Sequence, residues 1–293
     1  MDAAELAFSL AAVPGIGEKS IAAILRRVAV GGMSPVALLE MGAPALMGEF
    51  GLRHAAADAI VQGLRPAAER AALELRRLRR QGVQLLTVSD ASYPPALGAF
   101  LDAPPPLICA YGDLRLLARP LVMVANSNGA PPAALAACDE ALAVALSAGM
   151  SPVTGHNRIE YQRPALVALR AAVGVVYVLD RGIVDALGED LDRELFPAAG
   201  IWTGGFDPGR HLALSPFGPR DHWLGANNRR RDEMIAALAA LALVGSVTPG
   251  GGMDGICRRA GKAGKGVVTV GDSLSVQTRE TILALAAGGG LAT

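Results

Sequence analysis

The sequence predicts an α/β protein in which a mostly parallel sheet, covered by helices on both faces, follows a small all-helical domain. Three observations carry this. Residues 3 to about 80 show helical periodicity, interrupted by Gly and Pro, with no alternating strand pattern. From residue 83 onward, short runs rich in Val and Leu alternate with Ala- and Leu-rich helical stretches, as βαβ units do. Those runs are continuously apolar, as strands covered on both faces must be.

The helical domain is expected over residues 1–80, with its helices separated at Pro14-Gly15, Gly31-Gly32, Gly42 and Gly51. Within it, VPGIGEKSIAAIL (Val13 to Leu25) has the hΦxGΦG pattern of a helix-hairpin-helix. Gly15 and Gly17 permit a tight turn, and the next helix would present amides beside Lys19 and Ser20 to a phosphate. A hairpin used only for packing or protein contact fits the same pattern equally well. The sheet domain is expected over residues 81–293. Its strands are VQLLTV, LICAY, LVMVA, VGVVYVLD, HLALS, LALVGSV and GVVTV. Helices are expected from Ala133 to Ser147, Tyr161 to Ala172, Asn228 to Ala240, Met253 to Ala263 and Val276 to Ala287, and Gly288 to Thr293 reads as a frayed tail.

Composition narrows the function classes. The 27 basic and 27 acidic side chains cancel, so a polyanion site would have to be a local patch. Cys109, Cys138 and Cys257 are odd in number and form no CxxC pair, which argues against a disulfide framework and fits a cytoplasmic protein. The N-terminus carries acids where a secretory leader would be basic, and the longest apolar runs are broken by Gly, Pro or charge, so no membrane partner is expected.

Four strand-end segments are rich in ligand-binding chemistry. GANNRRRDEMIAALAALALV starts a helix with Asn227 or Asn228 as the expected cap and Arg229, Arg230 and Arg231 in the first turn. Cations there oppose the helix macrodipole unless an anion joins them. VTPGGGMDGICRRAGKAGKG places Gly250, Gly251 and Gly252 between a strand and a helix, where their amides would line an anion site; it lacks the ending of a P-loop. VMVANSNGAPP and VTGHNRIEYQRPA add Asn126, Ser127, His156, Asn157 and Arg158. Tyr161, Trp202, Phe206 and Trp223 are the aromatics near these loops. No GxSxG, HExxH or metal-ligand spacing of His54, His156, His211 and His222 occurs, so no catalytic residue, metal or cofactor is expected.

In this order, PGIG, GVQLLTVSDASYPPALGAFLDAPPPLICAYGD, VMVANSN, VTGHN, NNRRRDEMIAAL and PGGGMDGICRRAGKAGKGVVTV resemble the DprA/Smf DNA-processing family over nearly the whole chain. The resemblance implies a Rossmann-like domain that binds single-stranded DNA, forms a homodimer and helps load a RecA-type recombinase during natural transformation. It also implies that Asn228, Arg229 and Arg230 stand where the family's Arg-Asn-Arg turn contributes to the DNA pocket. The family's Gly-Ser-Arg is Ala125-Asn126-Ser127 here, and its Gly-Ile-Asp and Ala-His are absent between His156 and Pro164. Pro249 to Gly252 is closer to the PGG turn of the related LOG-type (SLOG) nucleotide hydrolases. The alternative expectation is therefore a nucleotide-ligand sensor or phosphoribohydrolase-like protein, for example in phage defence; a structural interaction module is the third.

Overall fold

The computed structural model describes residues 1–287, apart from the side chains of residues 202 and 203. The expected tail at Gly288 to Thr293 and the side chain of Trp202 lie outside the described residues. The chain divides into two compact units, Met1–Ala110 and Tyr111–Thr293.

The first unit opens with α1 (Ala3–Ala11), α2 (Glu18–Val30), a 3-10 turn (Pro35–Glu40), α3 (Ala43–Phe50) and α4 (His54–Arg80). The helix breaks fall at the Gly and Pro positions read from the sequence. A capping box between Asp2 and Glu5 starts α1, with the Asp2 carboxylate accepting from the Glu5 amide at 2.9 Å. Apolar side chains on the inner faces, among them Leu6, Leu10, Ile24, Leu46 and Ile60, form one core in which each is at most 1% exposed. The unit continues beyond residue 80, where the sequence placed the domain boundary. Strand β1 (Gln84–Thr87) follows, then α5 (Pro95–Phe100) and β2 (Leu107–Gly112), which pairs antiparallel with β1 in the register Gln84↔Ala110 to Thr87↔Leu107. The physical reason is that Val88 and Leu107 pack against the helical core.

In the second unit a 3-10 turn (Leu114–Ala118) leads into β3 (Leu121–Ala125), α6 (Pro132–Ser147), β4 (Ser151–Thr154), α7 (Ile159–Arg170) and β5 (Val176–Val178). Then come α8 (Ile183–Leu187), α9 (Pro197–Thr203), β6 (Leu212–Ser215), α10 (Asn227–Leu238), β7 (Leu241–Val244), α11 (Gly252–Lys262), β8 (Gly266–Thr269) and α12 (Val276–Ala287). Strands β3 to β8 run parallel in the order β6-β5-β4-β3-β7-β8. Helices α6, α7 and α12 pack together on one face, α10 and α11 on the other. Every residue of β4, β5 and β6 is buried, which explains why their sequences do not alternate. None of the described helices is long and apolar enough to cross a membrane.

Strand β4 is the element the sequence reading placed in a loop. Its start, Ser151-Pro152, lacks one amide donor and any β-branched signal; the ladder tolerates it because Ser151 donates to the Pro120 carbonyl at 3.1 Å. The chain order reverses between β3 and β7: β4, β5 and β6 are laid down on one side of β3, β7 and β8 on the other. In open parallel sheets this switch point, at the carboxyl ends of the strands, is where ligands bind.

Candidate nucleic-acid interface

All four strand-end segments singled out in the sequence lie on the carboxyl edge of the parallel sheet, because α10 and α11 each begin there and run back against the strands. They form two clusters. At the switch point, the Asn126 side-chain oxygen accepts from the Ser246 amide at 2.8 Å, and Ser127 Oγ accepts from the Thr248 amide at 2.8 Å. The Ser127 amide in turn donates to the Ser246 carbonyl at 2.7 Å. Asn126 is buried and also approaches Cys138 Sγ, whose thiol burial pushes up to about 11. The loops after β3 and β7 are thereby stitched to each other.

The glycine turn is partly satisfied from within. The Gly250 amide donates to the Asp254 carboxylate at 2.7 Å and the Gly251 amide to the Thr248 carbonyl at 3.0 Å. Gly252 begins α11 and is exposed. The Gly250 contact and the Arg258 guanidinium hold the Asp254 carboxyl below its usual range.

The second cluster gathers at the ends of β4 and β5. Its hub is Asp180, fully buried, one oxygen of which lies 2.6 Å from Asn157 Nδ2 and 3.3 Å from an Arg231 nitrogen. The other oxygen accepts from Arg181 Nε at 3.0 Å and stands 3.7 Å from His156 Nε2. Arg231 is only 1% exposed. Its guanidinium also meets Asp232 at 2.9 Å, Asn157 Oδ1 at 2.8 Å and Asn228 Oδ1 at 3.1 Å, and lies 4.1 Å over the Tyr161 ring. The Tyr161 hydroxyl donates to Asp232 at 2.7 Å. Burial drives the His156 imidazole down to about 4, with the Asp180 charge opposing and Arg181 and Arg231 reinforcing, so the ring is neutral at physiological pH. Its Nδ1 has no hydrogen-bond partner.

Two details of the α10 reading are corrected. The helix starts one residue early with Ala226 as cap and no side-chain capping bond, because both asparagines are used elsewhere. Asn227 Nδ2 donates to the Asp180 carbonyl at 2.9 Å, and Asn228 Oδ1 collects Asn157, Trp223 and Arg231 as donors. Arg231, past the first turn, does not wait for an anion, since two carboxylates of the protein already neutralise it. Arg229 remains exposed, ion-paired to Glu233 at 3.1 Å; Arg230 is half-buried, and Arg158, which precedes α7, is exposed.

The sequence reading missed Asp180 and Arg181; it offers Asp232 and Glu233 as partners of a solvated basic turn, and they do pair with Arg231 and Arg229. A signal for Asp180 was present: a carboxylate ending an apolar strand of a parallel sheet must stand at the ligand edge. Among the described residues, no group of three or more His, Cys, Asp or Glu could hold a metal ion. In the first unit the hairpin joins α1 to α2, with Gly15 at φ +81° and Val13 and Ile16 buried beneath it; Gly17, Lys19 and Ser20 face outward to differing degrees.

The fold and this edge define a doubly wound, Rossmann-like α/β protein with a polar site beyond the carboxyl ends of its strands. The fold is that of DNA processing protein A (DprA). The X-ray structure of DprA from Streptococcus pneumoniae matches 99% of this chain and 94% of its own, with a TM-score of 0.67 and 20% sequence identity. A DprA structure from Helicobacter pylori, described for its unique single-stranded DNA binding mode, matches 64% of this chain and 81% of its own, at TM-score 0.49 and 18% identity. No family model and no curated protein matches the chain.

Proposed function

We propose that this chain is a DNA-processing protein that binds single-stranded DNA along the carboxyl edge of its parallel sheet. The observation that carries the reading is the convergence of Arg158, Arg229 and Arg230 on that edge, in a fold shared with DprA over 99% of the chain. Of these, Arg158 and Arg229 are exposed and Arg230 is half-buried; guanidinium groups suit phosphate oxygens, and the half-open turn at Gly250 to Gly252 adds backbone donors. A free nucleotide in the switch-point crevice is the weaker reading, because Asn126 and Ser127 already bridge to Ser246 and Thr248 there. The wider reading, a cytoplasmic homodimer that hands the strand to a RecA-type recombinase, rests on the sequence resemblance.

Fluorescence anisotropy with labelled oligothymidylate over a salt series tests the proposal. Arg229→Ala with Arg230→Ala should leave folding intact and weaken binding. The slope of log affinity against log salt should shrink by about 0.7 for each phosphate that is no longer neutralised, one phosphate per arginine. Unchanged affinity and slope in a folded double variant would remove the edge from the DNA path and turn attention to the hairpin at Gly15 to Ser20.

A further inference from the structure

Part of the positive charge at this edge is already engaged within the protein. Arg231 is neutralised by Asp180 and Asp232, Arg229 is paired with Glu233, and Arg181 lies against Asp180 and Asp185. What the edge does offer is an aromatic surface. Trp223 is 45% exposed and its neighbour Leu224 is 64% exposed. The indole N–H of Trp223 donates to Asn228 Oδ1 at 3.3 Å. Its polar need is therefore met by the protein, and what remains open to solvent is apolar ring, four residues before the α10 start and six before Arg229.

The loop that carries Trp223, residues 216–226, is fixed rather than loose. The Gly182 amide donates to the Asp221 carbonyl and the Val184 amide to the Pro219 carbonyl, both at 2.8 Å. A Cβ on Gly182 would sit 2.2 Å from the Gly218 carbonyl oxygen, so the loop lies in van der Waals contact with the start of α8. His222 is tied to Asp185 at 2.7 Å on one side of Trp223, and the Leu224 carbonyl accepts from the Asn227 amide at 2.9 Å on the other. An exposed tryptophan is ordinarily an unfavourable use of apolar surface; one pinned on both sides, in the loop that leads into the arginine-bearing start of α10, has the arrangement of a stacking platform for a base.

We propose that Trp223 stacks a nucleobase of the bound strand, and that the bases contribute more to affinity at this edge than the phosphates do. The inference rests on the single-stranded DNA reading above and specifies which part of the strand is held. A cycle of two proteins and two ligands tests it: wild type and Trp223→Ala, each titrated with oligothymidylate and with an abasic deoxyribose-phosphate oligomer of the same length and charge. The wild type should prefer the thymidylate by roughly ten-fold or more. Trp223→Ala should lose that preference while binding the abasic oligomer as before, and Trp223→Tyr should restore much of it. Equal loss on both ligands would overturn the stacking role, leaving Trp223 as a prop for Asn228. Full retention of thymidylate binding by Trp223→Ala would also overturn it and leave the exposed ring to a protein partner. Failure of the wild type to bind either oligomer would instead defeat the DNA reading itself, and the stacking with it. Unchanged thermal unfolding of Trp223→Ala keeps the comparison on binding.

Discussion

At the residue scale, the stretch from Ser89 to Asp113 proves to be structural. Asp90 accepts the Thr87 amide at 2.6 Å, closing the turn after β1, and the buried Tyr93 hydroxyl donates to the Pro105 carbonyl at 2.7 Å. Gly112 sits at φ +116°, and a Cβ there would lie 2.0 Å from the His211 carbonyl oxygen, which accepts the Asp113 amide at 2.9 Å. The spacing of Tyr93, the prolines and Gly112 was legible as a family landmark, yet its cause lay in contacts that no local pattern encodes. Gly112→Ala combines an unfavourable backbone region with a backbone clash, so it should destabilise the protein by about 3 kcal/mol or more. Tyr93→Phe loses one buried hydrogen bond and should cost about 1–2 kcal/mol. Urea unfolding checks both, and near-equal effects would show that the segment leading into β6 at His211 yields around residue 112.

At the scale of elements, α10 is clamped at both ends. Arg231 and Asn227 fasten its start to Asp180, while the Lys265 ammonium donates to the carbonyls of Ala237 at 2.7 Å and Ala239 at 2.6 Å. Helices end with unpaired carbonyls, and a half-buried Lys from the turn between α11 and β8 donates to them here; burial also lowers the Lys265 pKa. Lys265→Met should cost about 1–3 kcal/mol and accelerate amide exchange in the last turn of α10. Exchange unchanged there would show that water serves those carbonyls equally well. The long helices α6, α7, α10, α11 and α12 were legible to within about two residues because each runs for three turns or more between strand or turn signals. The short α5, α8 and α9 were not, since five to seven residues hold too few turns for a period to register. At the candidate site, Asn126, Ser127, His156, Asn157 and the arginines were legible by type. The charge pair of Arg231 with Asp180 was not, because 51 residues of chain separate the partners.

At the scale of the whole molecule, the second unit keeps two imidazoles away from water. His156 and His211 are both pushed down to about 4, chiefly by burial. An unfolded histidine takes its proton near pH 6.5, so between pH 6.5 and 4 the unfolded chain binds more protons than the folded one. The stability these residues contribute is complete above pH 6.5 and drains away as pH falls towards 4. About 2 kcal/mol per histidine should be lost by pH 5. Asp139 and Asp232, whose carboxyls burial raises, act in the opposite sense as pH falls. Urea unfolding at pH 7 and pH 5 measures the difference, and a flat profile would mean that both rings reach solvent in the folded state. The tight seam between Gly182 and the Gly218-Pro219 carbonyls has a consequence in time. On the proposed stacking role, a platform already in place has no closing motion to wait for, so the rate of capturing a strand would be set by encounter and orientation, and one strand would be told from another by how long each stays.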